Sequence, residues 1–221
     1  MKKTISVFII VLICLVGSLI FHNPIEHFLP QIQFSWTFSK LAPYVLEFIL
    51  IVWFSMLMAK FIQKLALRKF VLIASILLLC GIAFAINPIY KGDFAHTYQE
   101  VVVSNKDAVF PRGLAMIALP GCPYCLERVN TLNDLKDHVS NLPITVVFTG
   151  ADSSVIEGYR SVLNPEIRLE VFANKNLLLQ AVGESFPSFV LNSDKYPIVY
   201  HWSQTGFGTG AMDWLASQEK N

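Results

Sequence analysis

The fold of the C-terminal half is decided by one stretch, LAMIALPGCPYC, which covers residues 114–125. Its first six residues are continuously apolar, a pattern typical of a buried strand. A Pro-Gly turn follows, and apolar residues then recur with helical spacing over 126–135. The stretch therefore predicts a strand that leads directly into a helix, with Cys122 and Cys125 on the first helical turn.

Two cysteines three positions apart on one helical turn lie close enough to form a disulfide. Cys122 stands nearer the helix start, where backbone N–H groups stabilise a thiolate. Such a pair can also be half of a zinc site, which needs a second pair of Cys or His ligands. The remaining cysteines, Cys14 and Cys80, lie far upstream in apolar segments. We therefore predict a redox-active pair, with no metal and no cofactor.

The succession of strand, Cys-Pro-Tyr-Cys and helix resembles the opening of a thioredoxin-like domain, and Pro-Tyr between the cysteines is typical of glutaredoxins. Thioredoxin-like proteins also place a cis-proline before a strand, facing the active disulfide, and Pro187 resembles it. The alternative is an ordinary proline at the start of a strand. Gly121 differs from the family, because thioredoxins usually carry tryptophan there. No glutaredoxin-type Gly-Gly follows the strand hairpin, so glutathione binding is not implied.

Position along the helix predicts different roles for the two thiols. Attack through a mixed disulfide needs an exposed thiolate, which favours Cys122 as the nucleophile. Cys125, one turn deeper, would resolve the mixed disulfide. The predicted substrate groove is formed by residues that flank the pair and the proline: Pro123, Tyr124, Phe186 and Pro187.

The N-terminal half is strongly apolar, in a chain that is 54% hydrophobic overall. Its three long apolar stretches, 4–21, 41–59 and 70–86, each approach the roughly 20 residues that cross a bilayer as a helix. We therefore predict an α-helical membrane segment of three spans, followed by a tether at 87–100. An α/β thioredoxin-like domain at 101–221 completes the predicted architecture.

Basic residues predict the orientation, because Lys and Arg mark the cytoplasmic side of membrane helices. Residues 2–3 are both lysine, and the link 60–69 holds four Lys or Arg, whereas 22–40 holds one lysine. The N-terminus is thus predicted in the cytoplasm and the C-terminal domain outside it. This corresponds to the inner membrane of a bacterium, with the domain in the periplasm, where disulfides persist. Without a basic stripe, nucleic acid is not an expected partner.

Lysines followed by an apolar run are also typical of a cleaved secretory signal peptide. The first stretch ends in GSLIF, residues 17–21, which offers no small-x-small cleavage site. We therefore predict that this stretch is retained as a membrane anchor. Cleavage would leave the C-terminal domain on the same side of the membrane.

Three residues of the membrane half are candidates for function. Glu47 lies inside the second stretch, where an ionisable residue is a functional hypothesis by default; the alternative is that it reaches the headgroups. Cys14 and Cys80 would lie at equal depth, which suggests a membrane relay disulfide, or else two small apolar residues. His-Asn-Pro at 22–24 followed by Glu47 loosely resembles DoxX/MauE-type membrane proteins, a group linked to redox maturation. The aromatic residues of the link 22–40 are interpreted as interfacial anchors, with a short strand as the alternative.

The rest of the C-terminal half alternates between strand and helix patterns. The predicted strands are 144–148, 167–172, 188–191 and 198–202, and the predicted helices are 123–138, 152–163, 175–182 and 211–217. Asp152 is predicted to cap the second of these helices. The glycines at 206, 208 and 210 are interpreted as sources of loop flexibility. Strands that alternate with helices and end in a hairpin fit a thioredoxin-like α/β sandwich.

These features together predict a membrane-anchored thiol–disulfide oxidoreductase that acts outside the cytoplasm. Its expected partners are protein thiols and disulfides, the bilayer and a membrane redox partner. Reduction of substrates is favoured over oxidation because the membrane half could feed electrons outward. Two alternatives belong to other classes: a domain that docks a partner within a membrane complex, and a copper-handling domain, since soft thiolates suit Cu(I).

Overall fold

The computed structural model describes residues 2–103, 110–150, 152–172, 182–183, 185–192 and 198–219. The chain divides into two compact units, Met1–Tyr90 and Lys91–Asn221. The predicted helix at 175–182 lies almost entirely outside the described residues.

The first unit is entirely helical in its regular structure. Its helices are α1 (Lys2–Ile20), α2 (His22–Gln31), α3 (Trp36–Ala59) and α4 (Leu65–Ile86). Among the described residues, α3 and α4 are each long and apolar enough to cross a membrane. Helices α1 and α2 meet at a bend of 69° and would together make a third span if the bent pair counts as one.

The short strand considered as an alternative for the link 22–40 is wrong. Residues 22–31 form α2, whose Pro24 falls in the first turn, where a missing N–H is tolerated. Helix α3 starts well before the predicted span because Ser35 caps it, accepting a hydrogen bond of 3.2 Å from the Phe38 amide. Aromatic residues that alternate like a strand therefore begin a helix instead.

Helix α3 packs against both α1 and α4. The contact is an apolar cluster of four buried residues, Leu15, Leu50, Ile51 and Ala83, bordered by Leu19, Ile76, Leu79 and Cys80. Buried apolar side chains thus hold the three long helices together within the unit.

The second unit is built on one mixed sheet. Its strands within the described residues are β1 (His96–Val101), β2 (Gly113–Ala118), β3 (Ile144–Phe148), β4 (Arg168–Val171), β5 (Ser188–Asn192) and β6 (Val199–Phe207). They lie in the order β1-β6-β5-β2-β3-β4. The pairs β2–β3 and β3–β4 are parallel, and the other three pairs are antiparallel.

Within the described residues, three helices accompany the sheet: α5 (Pro123–His138), α6 (Ser153–Arg160) and α7 (Thr209–Glu219). Every residue of β2, β3 and β5 is buried, which agrees with their continuous apolar runs. Helix α5 has the predicted bounds and buries Cys125, Val129, Leu132 and Leu135. The predicted Asp152 cap of α6 is also present, since its carboxylate accepts a hydrogen bond of 3.0 Å from the Val155 amide.

Two features at the β1 edge differ from the predictions. Residues 96–100 of the predicted tether belong to strand β1, which pairs with β6. The glycines at 206 and 208 do not serve a flexible loop. A Cβ at Gly206 would meet the carbonyl oxygen of Thr97, and one at Gly208 would meet that of Gly92. Glycine is required there because two backbone segments approach each other too closely for any side chain.

Candidate active site

A tight turn carries the chain from β2 into α5. Gly121 adopts φ +73°, a conformation that side chains disfavour. The Cys122 amide then donates a hydrogen bond of 3.2 Å to the Leu119 carbonyl, which closes the turn. Pro123 occupies the first helical position, where its lack of an N–H costs nothing. The sequence therefore folds so that Cys122 stands at the start of α5.

Cys122 is the N-cap residue of α5. Its sulfur accepts a hydrogen bond of 3.3 Å from the backbone N–H of Cys125, and its side chain is half-buried. Amide donors and the helix dipole at such a position stabilise negative charge on the atom they face. The position thus suits a sulfur that must both ionise and remain accessible.

Cys125 has the opposite environment. It is fully buried, and burial is the main cause that raises the pKa of its thiol to about 12, with the hydrogen bond to Cys122 adding to the increase. A hydrogen bond from the Leu119 backbone lowers the same pKa in part. Both thiols are free in the structure. The two sulfurs of the pair are therefore chemically unequal, as a nucleophile and a resolving thiol need to be.

Sheet register brings Pro187 to the same end of the sheet as the cysteines. Ser188 pairs with Ile117, so the proline just before it stands beside the end of β2, from which the chain turns into α5. The Phe186–Pro187 peptide bond is cis, as the resemblance led us to expect. Pro187 is buried and Phe186 is half-buried.

Two exposed apolar side chains lie close to Cys122 in sequence, near the start of α5. Tyr124 is 56% exposed and Leu126 is 49% exposed, one on each side of Cys125 in sequence. Large apolar side chains exposed next to a half-buried sulfur provide a surface against which an extended polypeptide could pack. Of the predicted groove residues, Pro123 and Tyr124 thus lie on the helix side, and Phe186 and Pro187 on the strand side.

Two buried hydroxyl groups near the cysteine pair were not predicted from the sequence. Thr149 directly follows β3, and its amide donates a hydrogen bond of 3.3 Å to the Ala118 carbonyl at the end of β2. Tyr159 packs its ring against Phe148, with ring centres 4.9 Å apart. Thr149 could have been singled out because the ends of adjacent parallel strands meet at one edge of a sheet. Nothing in the sequence pattern pointed to Tyr159.

In the first unit, Glu47 is paired rather than directed away from the helices. Its carboxylate oxygen Oε1 lies 2.8 Å from Nδ1 of His22, and both side chains are only 2% exposed. The His22 ring also meets the Tyr44 ring edge-on, at 4.4 Å between centres. In the sequence, His22 stands out only as part of the His-Asn-Pro resemblance. Its partner is 25 positions away and becomes visible only when α2 folds against α3.

The predicted relay cysteines are both free thiols. Cys80 borders the apolar cluster between the helices, whereas Cys14 is exposed on the surface of the unit. The structure therefore does not join them in a disulfide. Their surroundings agree with the alternative interpretation, in which both are small apolar residues.

Comparison of the chain with models of protein families, with curated proteins and with solved structures found no match. Within the described residues, no group of three or more His, Cys, Asp or Glu side chains is arranged to hold a metal ion.

Proposed function

We propose that this protein is a membrane-anchored thiol–disulfide oxidoreductase that reduces protein disulfides outside the cytoplasm through Cys122 and Cys125. The observation that carries the proposal is that the two cysteine sulfurs have different environments. One sulfur is half-buried at a helix N-terminus and accepts an amide hydrogen bond, and the other is fully buried one turn deeper. Disulfide exchange requires this division between an attacking and a resolving thiol.

The arrangement of the sheet supports a thioredoxin-like fold. The strand before the cysteine pair lies between a parallel neighbour, β3, and the antiparallel hairpin β5–β6. The cis-proline precedes β5 at the end of the sheet where the cysteine pair is also found. In this assignment β1 and β4 are additional edge strands.

The proposed reaction transfers two electrons from the cysteine pair to the substrate. The Cys122 thiolate attacks one sulfur of a substrate disulfide, forming a mixed disulfide and releasing the other substrate sulfur as a thiolate, which takes up a proton. The Cys125 thiolate then attacks Cys122, forming the Cys122–Cys125 bond and releasing the second substrate thiol. The substrate disulfide is reduced, and the pair must afterwards be reduced again by a donor thiol.

An aromatic disulfide reagent that releases a coloured thiolate tests the reaction on the full chain in detergent. A background of Cys14→Ala with Cys80→Ala removes the other thiols. We expect two coloured equivalents from the intact pair, and one from Cys125→Ala, which stops at the mixed disulfide. Cys122→Ala should react at least tenfold more slowly, because burial shields Cys125.

Equal rates and yields from the two single variants would contradict the assigned roles. An intact pair that stays unreactive but binds Cu(I) through both cysteines would favour the copper-handling alternative. A partner that co-purifies with the chain lacking both cysteines would favour the docking alternative.

The localisation that we propose is the inner membrane of a bacterium, with three spans, the N-terminus in the cytoplasm and the second unit in the periplasm. It rests on the helices that can cross a membrane and on the basic link around 60–69. The bent pair α1–α2 would form the first span.

A reporter enzyme that is active only outside the cytoplasm tests this topology. We expect activity when it is fused after Asn221 and none when it is fused at Gln63, since the basic link should stay in the cytoplasm. Fusions of matched expression level are the control. Reversed activities would place the cysteine pair in the cytoplasm and overturn the periplasmic proposal.

A further inference from the structure

Of the two buried hydroxyl groups described above, Thr149 and Tyr159, the tyrosine is the larger and the more deeply buried. The Tyr159 side chain is 6% exposed, and its oxygen has no hydrogen-bond partner among the described residues. A buried hydroxyl left unpaired destabilises the folded state, so most buried hydroxyl groups are paired. An unpaired one in a well-ordered core therefore suggests a partner that appears in another chemical state of the protein.

The segment that carries Tyr159 is held along α5, the helix of the cysteine pair. The Asn133 side chain donates a hydrogen bond of 2.9 Å to the Val162 carbonyl and accepts one of 2.8 Å from the Asn164 amide. The Asn164 side chain donates another, of 2.8 Å, to Asp137. These bonds fix the end of α6 against the middle of α5.

The Tyr159 ring is fixed in turn against Phe148, the last residue of β3. Phe148 pairs with Ala118, the last residue of β2, so the tyrosine lies at the end of the sheet from which the cysteine turn departs. Burial is the main cause that raises the pKa of Tyr159, and negative charge on the Cys125 and Cys122 sulfurs adds to the increase, in agreement with this position.

We propose that the Tyr159 hydroxyl donates a hydrogen bond to the Cys125 sulfur when that sulfur becomes a thiolate in the resolving step. The proposal rests on the proposed function of the cysteine pair. Tyr159 would then stabilise the buried Cys125 thiolate that forms before the mixed disulfide is resolved.

The chemistry of the resolving step explains the need for such a donor. Cys125 must lose its proton while buried, and a buried charge without hydrogen bonds is strongly disfavoured. The Leu119 backbone supplies one stabilising hydrogen bond. Tyr159, with its pKa raised to about 12, keeps its proton at neutral pH and can supply a second. No electron passes through the tyrosine. The Cys125 proton leaves to solvent and is balanced by the proton that the released substrate thiolate takes up.

The coloured-disulfide assay separates the two steps, because the first equivalent reports attack by Cys122 and the second reports resolution by Cys125. We expect Tyr159→Phe, which keeps the ring against Phe148, to leave the first phase unchanged. The second phase should slow about tenfold or more, as expected for loss of a hydrogen bond to a charged group. The rise in the rate of the second phase with pH should also occur at higher pH in this variant. Tyr98→Phe, which removes a hydroxyl on β1, is the matched control and should leave both phases unchanged.

A second measurement does not depend on catalysis. In a chain with Cys14, Cys80 and Cys122 all replaced by alanine, the alkylation rate of Cys125 as a function of pH reports its ionisation. We expect Tyr159→Phe to shift this profile to higher pH, and Tyr98→Phe to leave it in place. An unshifted alkylation profile would overturn the role of Tyr159 whether or not the pair proves to be a reductase. If the alkylation profile shifts but the intact pair releases no coloured thiol, the hydrogen bond from Tyr159 is supported and only the proposed reductase activity is rejected.

Discussion

Replacing Cys125 with alanine is expected to turn the protein into a covalent trap for its substrates in cells. Cys122 stays half-buried at the start of α5 and can still attack, but no buried thiol remains to resolve the mixed disulfide. Tagged Cys125→Ala chains should therefore carry partner proteins on non-reducing electrophoresis, in bands that disappear on reduction. Mass spectrometry of those bands identifies the partners.

Cys122→Ala supplies the matched control, since it keeps one cysteine of the pair but leaves only the buried one. It should trap few partners or none, and the chain without both cysteines should trap none. Equal trapping by the two single variants would mean that accessibility at the helix start does not select the attacking sulfur.

Glu47→Ala should lower the free energy of unfolding of the first unit by about 1–3 kcal/mol. The change leaves a buried ring nitrogen of His22 without its hydrogen-bond partner, and a buried polar group left unpaired typically costs about that much. Thermal unfolding of the full chain in detergent, followed by helical circular dichroism, measures the loss. The double change to leucine at both positions should recover most of it, because no isolated polar group remains.

The matched control for Glu47 is Glu26→Ala. Glu26 likewise contacts a partner on another helix, since its carboxylate lies 3.2 Å from the Lys40 ammonium, but the two side chains are 24% and 18% exposed. A solvated pair contributes about 1 kcal/mol or less, so this variant should unfold at nearly the original temperature. Similar decreases in stability for Glu26→Ala and Glu47→Ala would show that burial does not determine how much the His22–Glu47 contact stabilises the unit.

The elements that could be predicted well from the sequence are those that depend on neighbouring residues in the chain and not on distant contacts. The apolar run of β2, the proline at the first position of α5 and the Asp152 cap of α6 are local patterns with local physical causes. Strand β1 was missed because its HTYQEV sequence is mostly exposed and lacks a buried stripe. Its place in the sheet comes from pairing with β6, about a hundred residues later in the chain.

The residues of the candidate site also fall into those that could be predicted from the sequence and those that could not. Both cysteines and Pro187 were predictable from motif spacing and from resemblance to a known fold. The Tyr159 hydroxyl was not, because its position depends on hydrogen bonds between α5 and the segment after α6. The His22–Glu47 contact likewise depends on α2, a short helix with two prolines that does not read as helical from its sequence.

The pairing of β1 with β6 has a practical consequence for anyone who shortens this chain. A fragment that begins at residue 101, where the motif-based boundary falls, would discard all of β1 except its last residue. Strand β6 would then become a nine-residue open edge carrying Tyr200 and Trp202. Long aromatic edges of this kind recruit further strands from neighbouring molecules, and the fragment would tend to aggregate. A soluble fragment should begin no later than Lys91, which retains the whole edge strand and the turn that contacts Gly208.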